Sequence, residues 1–393
     1  MNKKKLIRVT TVPISLDKLL EGQLHYLNQY YNLIGLSGEG ELLRKVEKRE
    51  KIEVHPIKMQ RSISPIKDVV SLIKLYKYFK KEQPQIVHSI TPKAGLLSMI
   101  AAYFAHVPIR IHTFTGLIFP SKKSFFKQLI IAMDKAVCYF ATNVYPEGEG
   151  VKNDLINFKI TKKPLKVLAN GNINGIDTSY FNPTLFHEDL KAQLRGELSI
   201  SKNDFVFIFV GRLVGDKGIN ELVAAFNQLQ SNPLLRGARG VLKNNYKLLL
   251  VGPLETALDP LKPSTLKEIQ ENPNIISVGW QEDVRPYFAI SNVLVFPSYR
   301  EGFPNVVLQA GAMGLPSIVT NINGCNEIIK EGKNGWIIPV KNQEALETAM
   351  KNCLTDRLQF NKAKENARQL IIDSYEQKIV WEAILEEYKN LEK

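Results

Sequence analysis

NVLVFPSYREGFPNVVLQAGAMGLPSIVTNINGCNEII, residues 292–329, is the stretch that decides the fold. It opens as an apolar, β-branched run ending in Pro297-Ser298, the pattern of a strand buried on both faces of a parallel sheet. Arg300, Glu301, Gly302 and Phe303 then turn the chain into a helix expected to open at Pro304 and to close at Gly314-Leu315-Pro316. Proline suits a first helical position, and glycine suits the residue just past the end. Residues 316–320 begin another strand. The loop of this strand–loop–helix–strand unit lies at the carboxyl end of a strand, where open α/β sheets bind ligands. N–H groups in the first helical turn lack intrahelical partners and carry partial positive charge, so they suit an anion. Glu301 beside them would repel phosphate but accept hydrogen bonds from sugar or ribose hydroxyls. A phosphate-seeking helix end next to a hydroxyl-seeking carboxylate implies a nucleotide-sugar.

Outward from this unit, strand-like and helix-like segments alternate. Residues 205–210, 247–251, 275–279, 292–297, 316–320 and 335–339 read as strands, and 219–230, 261–271, 304–313 and 343–353 as helices between them. Upstream, strands are expected at 6–12, 31–37, 51–57, 85–90, 109–115, 137–145 and 165–169, with helices at 22–30, 66–81, 94–104 and 124–135. The Asn- and Gly-rich residues 168–183 read as a connection between two such alternations. The expected architecture is α/β: two doubly wound, Rossmann-like domains facing a cleft. Residues 1–180 form the first and 181–374 the second, and an amphipathic tail, 375–393, follows.

The 393 residues leave room for two domains with a core each, and an apolar share of 44% against 23% charged is that of a globular chain. The three cysteines, Cys138, Cys325 and Cys353, have no metal-ligand or CxxC spacing and read as free thiols in a reducing compartment. Polar residues follow the basic start MNKKKLIRV too soon for a signal peptide, and the apolar window 95–107 is too short and broken to span a bilayer. A cytoplasmic location is expected. Charge is uneven. Residues 1–185 hold 28 Lys+Arg against 14 Asp+Glu, a net of +14, and the remainder holds 24 against 25, a net of −1, summing to the chain's +13. An anionic surface or ligand is therefore expected for the first half.

Strand 205–210 is followed by Gly211-Arg212-Leu213 and Lys217-Gly218. Gly211 permits a tight exit and close backbone approach. Arg212 is suited to gripping a diphosphate through parallel hydrogen bonds, with Lys217 adding a point charge. Alone, this is what a solvated loop with two surface cations looks like. Beside the Glu301 loop at the same end of one sheet, the pair gains meaning.

GRLVGDKG (211–218), VGP (251–253) and SYREGFPNVVLQAGAMGLPSIVT (298–320) together resemble the family-four retaining glycosyltransferases, which have the GT-B fold; the likeness covers nearly the whole chain. TTVPISLDKLLEGQLHYL (10–27), IVHSITPKAGLLSMIAA (86–102) and NGNINGIDTSYF (170–181) narrow it to bacterial enzymes that extend undecaprenyl-diphosphate-linked sugars in capsule, O-antigen or glycoprotein glycan assembly. The resemblance implies a donor domain in the second half, an acceptor-binding, membrane-facing domain in the first, and a last helix that crosses back to the first domain. It implies that Arg212 and Lys217 bind the donor diphosphate, that Glu301 contacts the donor sugar, and that these three carry catalysis. The implied donor set also includes Gly211, Gly252, Trp280, Gly302, Phe303, Pro304, Asn305 and Gln309. Gln309 stands where the family has a second Glu, keeping hydroxyl hydrogen bonding without the charge. Thr115 stands where many relatives carry a His, and His112 lies three residues earlier; a His satisfied by a neighbour on its strand is an equal reading of that residue.

The implied chemistry retains anomeric configuration and uses no metal and no cofactor, in keeping with the lack of Asp-x-Asp in the relevant loops. The expected donor is a UDP-sugar carrying a hexose or N-acetylhexosamine, and the expected acceptor is a lipid-linked saccharide. On the acceptor side Gly22, Arg61, Lys93, His112 and Thr115 are candidates, with Arg61 and Lys93 placed to hold a diphosphate. Residues 121–140 interleave Lys122, Lys123, Lys127 and Lys135 with Phe125, Phe126, Leu129, Ile130 and Ile131. Residues 67–81 are a second basic amphipathic stretch, and both fit either packing on the sheet or peripheral contact with the inner face of an anionic membrane. Glu327 reads as a helix cap. Two other functions are compatible with parts of the sequence: a nucleotide-sugar epimerase of the same architecture, and a basic nucleic-acid-binding protein. The REGFPN loop favours transfer over epimerisation. No nucleic-acid partner is expected, because no recognition motif accompanies the charge.

Overall fold

The computed structural model describes residues 3–62, 64–117, 119, 124–231, 246–257 and 259–393. The chain forms two compact units, Met1–Gly175 with Gln377–Lys393, and Ile176–Glu376.

In the first unit the elements follow one another as β1 (Lys5–Val9), α1 (Pro13–Leu19), α2 (Gln23–Asn28), β2 (Asn32–Ser37), α3 (Glu41–Glu50), β3 (Glu53–Pro56), α4 (Pro65–Glu82), β4 (Ile86–Ser89), α5 (Pro92–Phe104), β5 (Ile109–Phe114), α6 (Ser124–Phe140), β6 (Asn143–Pro146) and α7 (Glu149–Asn157). The six strands are parallel in the order β3-β2-β1-β4-β5-β6. Strand alternation feeds two cores. Ile7, Val9 and Val87 join Leu75, Phe79 and Leu97 on one face. Leu6, Ile86 and Ile111 join Leu16, Leu24 and, from the chain's far end, Ile384 and Tyr388 on the other.

The second unit contains α8 (Glu188–Glu197), β7 (Phe205–Val210), α9 (Ile219–Ser231), β8 (Tyr246–Val251), α10 (Pro263–Glu271), β9 (Ile275–Ser277), α11 (Arg285–Ala289), β10 (Val293–Phe296), α12 (Asn305–Ala312), β11 (Ser317–Thr320), α13 (Cys325–Ile328), β12 (Gly335–Ile338), α14 (Gln343–Thr355) and α15 (Arg357–Tyr375). Its parallel sheet has the order β12-β11-β10-β7-β8-β9. Helix α16 (Gln377–Leu391) returns to the first unit. All three cysteines are buried free thiols.

One expected strand starts later than expected and another is absent. Residues 137–140 complete α6, because Val137 and Cys138 are buried at helical spacing with Asp134 and the Ala141 N–H closes on the Val137 carbonyl at 3.0 Å; the strand begins only at Asn143. Residues 165–169 pair with no strand; Leu165 and Leu168 instead pack against the two cores of the first unit. Pro304 does not open its helix. It is the extended residue capping it, φ −74° and ψ 110°, and α12 starts at Asn305. Helices α1, α3, α7, α8, α11 and α15 have no counterpart in the sequence reading.

Candidate active site

The strand order of the second unit reverses between β7 and β10, which run side by side with Val293 opposite Phe207. Loops leaving the carboxyl ends of strands at such a reversal diverge and leave a ligand crevice. The β7 loop carries Arg212 and Lys217; the β10 loop carries Glu301. Gly218 draws the loops together. At φ +71° it lies where a Cβ would sit 2.2 Å from the Pro297 carbonyl oxygen, so only glycine fits.

The Lys217 ammonium donates to Glu301 Oε1, with both side chains 18% exposed, and Ser298 Oγ donates to the same oxygen at 2.8 Å. Lys217 also lies 5.6 Å from the centre of the Phe296 ring. Thus the cation and the carboxylate hold each other, half-buried, at the strand ends. On the same loop as Lys217, Arg212 Nη1 meets Oε2 of Glu255, from the adjoining β8 loop, at 2.6 Å, with Arg212 itself 52% exposed. Arg300 Nη2 bonds Asp216 Oδ2 at 3.0 Å, and the Tyr299 N–H bonds the Asp216 carbonyl at 2.8 Å, crossing from the β10 loop to the β7 loop. Asn305 and Gln309, one turn apart on α12, share a face and are both half-buried. Gly302 is half-buried in the loop, while Pro304 is buried. Trp280 follows β9 and is largely exposed. Phe303 is buried and packs on Tyr375 with ring centres 5.6 Å apart, so its side chain belongs to the core. Gly252 brings the β8 loop against Gly211, where a Cβ would meet the Gly211 carbonyl oxygen at 1.8 Å. Glu327 caps α13, its Oε1 accepting from the Gly324 N–H at 3.1 Å.

The acceptor candidates do not assemble in the same way. Lys93 is buried and ion-paired with Asp68, which gives its charge another use. His112 is 2% exposed and bonds Ser89 Oγ through Nδ1 at 2.8 Å; burial lowers its pKa to about 3, so the ring is neutral and sealed within the domain. Thr115 Oγ1 donates to the Ile90 carbonyl at 3.3 Å, and Arg61 is exposed. The Gly22 N–H donates to Glu50 Oε1 at 3.0 Å under the ring of Trp381. Lys122 and Lys123 lie outside the described residues. Glu255, Asp259, Asp216, Ser298 and Arg300 were missed as site residues: single carboxylates and hydroxyls in loops carry no spacing signal.

Residues 191–370 match the model "Glycosyl transferases group 1", and residues 23–147 match "Glycosyl transferase 4-like". The chain is 31% identical over 386 residues to the capsular polysaccharide biosynthesis glycosyltransferase CapM of Staphylococcus aureus, covering 98% of this chain and 96% of that one. It is 31% identical over 321 residues to the Escherichia coli UDP-Gal:alpha-D-GlcNAc-diphosphoundecaprenol alpha-1,3-galactosyltransferase, covering 80% and 78%. Among solved structures it is similar to Anabaena HepE in complex with UDP, with a TM-score of 0.78 over 99% of this chain and 100% of that one at 16% identity. The chain belongs to the family-four glycosyltransferases with the GT-B fold. It is a glycosyltransferase of the group that builds bacterial capsule and O-antigen polysaccharides.

Proposed function

We propose that the protein transfers a hexosyl or N-acetylhexosaminyl group from a UDP-sugar to an undecaprenyl-diphosphate-linked saccharide, with retention and without a metal ion. The observation that carries this is the Lys217–Glu301 pair set at the switch point of a parallel sheet, with Arg212 on the loop that carries Lys217, and beside the α12 N-terminus. The bond from the anomeric carbon to the diphosphate oxygen breaks, and the acceptor oxygen bonds that carbon from the same face. The acceptor's proton passes to the departing phosphate. Arg212, Lys217 and the first N–H groups of α12 stabilise the charge developing on the leaving diphosphate. Glu301 accepts hydrogen bonds from donor-sugar hydroxyls while offsetting part of the Lys217 charge. The name of the Escherichia coli relative supports both the UDP donor and the diphosphoundecaprenol acceptor. That of a Campylobacter jejuni relative, 24% identical over 333 residues, supports an acceptor of that class.

A membrane-bound acceptor fits the surface of the first domain. Helix α4 buries Ser71, Leu75, Tyr78 and Phe79, yet leaves Ile66, Val69, Val70, Ile73 and Tyr76 exposed among lysines. Phe125 and Phe126 at the start of α6 are also exposed. Among the described residues no helix is long and apolar enough to cross a membrane. The proposed contact is therefore peripheral, with these side chains in the interfacial layer.

The test is a chelator-treated transfer screen over UDP- and GDP-sugars with undecaprenyl-diphosphate-sugar acceptors in detergent, running Lys217→Ala and Glu301→Ala beside wild type. Turnover of one donor, lost in both variants and retaining by NMR of the product, is the expected result. No turnover, with no nucleotide-dependent rise in melting temperature, would sink the proposal.

A further inference from the structure

We propose that two carboxylates of the loop after β8, Glu255 and Asp259, position the diphosphate-binding side chains of the loop after β7; this rests on the donor site proposed above. Strands β7 and β8 pair in register up to Val210 and Val251, and their loops continue side by side beyond the sheet. The Gly211 N–H donates to the Val251 carbonyl and the Leu213 N–H to the Pro253 carbonyl, each at 2.9 Å, and Leu213 bridges Leu254. This continuation brings Glu255 to Arg212. The contact uses Nη1, one nitrogen of a group with five N–H donors, so the guanidinium keeps donors for a second anion. An exposed arginine has much rotamer freedom to lose on gripping a ligand, and a tether on one nitrogen removes part of that cost beforehand.

Asp259 acts on the other half of the loop. Its carbonyl accepts from the Gly215 N–H at 3.1 Å, and its carboxylate accepts from the Asp216 N–H. Together they fix the 3₁₀ turn Gly215–Lys217, whose last residue is the donor-site lysine. Asp259 does so from φ +61°, a left-handed conformation that non-glycine residues adopt only when their surroundings hold them there. A Cβ at Gly215 would lie 2.7 Å from Asp259 Oδ1, so glycine lets the carboxylate close in. The carboxylate of Asp216, in the same turn, holds Arg300, next to Glu301. One loop thus braces both cations, each by a separate carboxylate.

The test measures UDP affinity by calorimetry and donor KM and kcat for wild type, Glu255→Ala, Glu255→Gln, Asp259→Ala, Arg212→Ala and the Arg212→Ala/Glu255→Ala double variant. Losing an exposed ion pair of this kind is expected to weaken UDP and raise donor KM about fivefold in Glu255→Ala, with kcat and the melting temperature little changed. Glu255→Gln keeps an acceptor for Nη1 and should recover most of the loss. Adding Glu255→Ala to Arg212→Ala should change nothing further. Asp259→Ala should raise donor KM more than it lowers kcat. Unchanged or tighter UDP binding in Glu255→Ala would overturn the positioning role, as would an undiminished loss in the Arg212→Ala background. A wild type that does not bind UDP would instead remove the donor reading, and this inference with it.

Discussion

Lys217 and Glu301 neutralise each other as a half-buried ion pair, which defines what each substitution should do. In Lys217→Ala the Glu301 charge is left beside the proposed diphosphate position and one cation is gone. Because leaving-group charge is larger in the transition state than in the bound donor, kcat should fall about 10²–10³-fold, more than KM rises. Equal changes in both would mean that Lys217 only binds. In the first unit, Asp134 is buried on α6, and burial raises its carboxyl pKa from 3.8 to about 7. Between these values the native state holds a proton that the unfolded chain has lost, so this group's contribution to stability falls as pH rises through the window. Each pH unit in it is worth about 1.36 kcal/mol, so Asp134→Asn should gain on wild type from near zero at pH 4 to at most about 4 kcal/mol at pH 8. His88 and His112, both neutral in the fold with lowered pKa values, give the opposite slope below 6.5, present equally in both proteins. Urea titrations at several pH values check the difference; a gap that does not grow with pH would rule the assignment out.

At the level of elements, α16 is fastened to a domain from which more than two hundred residues of chain separate it. Tyr388 Oη accepts from Arg8 Nη1 at 2.6 Å and lies 2.6 Å from His88 Nδ1, all three side chains buried on β1, β4 and α16. Glu387 adds bonds to Tyr145 at 2.7 Å and Lys166 at 2.6 Å. Tyr388→Phe keeps the ring packing but strips a buried guanidinium of an acceptor, and should cost about 1–3 kcal/mol. Hydrogen exchange at β1 and β4 amides should quicken correspondingly; unchanged protection would argue that Arg8 finds another partner. How legible an element was follows from its anchors. The β7, β8 and β10 strands are continuous apolar runs, and their loops hold the glycines and charges that mark the candidate donor site. Helix α3 buries only Leu43, Val46 and Glu50, and α15 buries two alanines among its five core residues, so each offers few large apolar side chains to mark it. At residues 137–140 a β-branched and aromatic run imitated a strand, and the turn that closes α6 decided otherwise. Lys93 and His112 were visible as residue types, but their partners Asp68 and Ser89 lie more than twenty positions away, beyond what local pattern carries.

On the scale of the whole molecule, the charge asymmetry and the bare stripe of α4 belong to the same half of the chain. Residues 66, 69, 70 and 73 follow helical spacing i, i+3, i+4, i+7 and are exposed by 83, 55, 48 and 48%, while the face that packs on the sheet is made by Leu75, Tyr78 and Phe79. A helix with a second apolar stripe in water is unfavourable unless something covers it. Lysines 67, 74, 77 and 80 on the same helix favour an anionic surface, each worth about 1 kcal/mol close to acidic lipid. The protein should therefore sediment with phosphatidylglycerol vesicles and much less with phosphatidylcholine. Raising salt should screen the lysines, since the Debye length falls from about 10 Å at 0.1 M to about 3 Å at 1 M, and leave the apolar part of the binding. Val69→Glu with Ile73→Glu removes that part and adds repulsion. More than tenfold weaker vesicle binding is expected, because two buried aliphatic side chains are worth about 1.5–3 kcal/mol each. UDP binding should not change, as the residues proposed to bind the donor lie in the other unit. Transfer to an acceptor in vesicles should then fall while transfer to a detergent-dispersed acceptor persists. Equal vesicle binding by wild type and variant would mean that α4 is not the surface that meets the lipid.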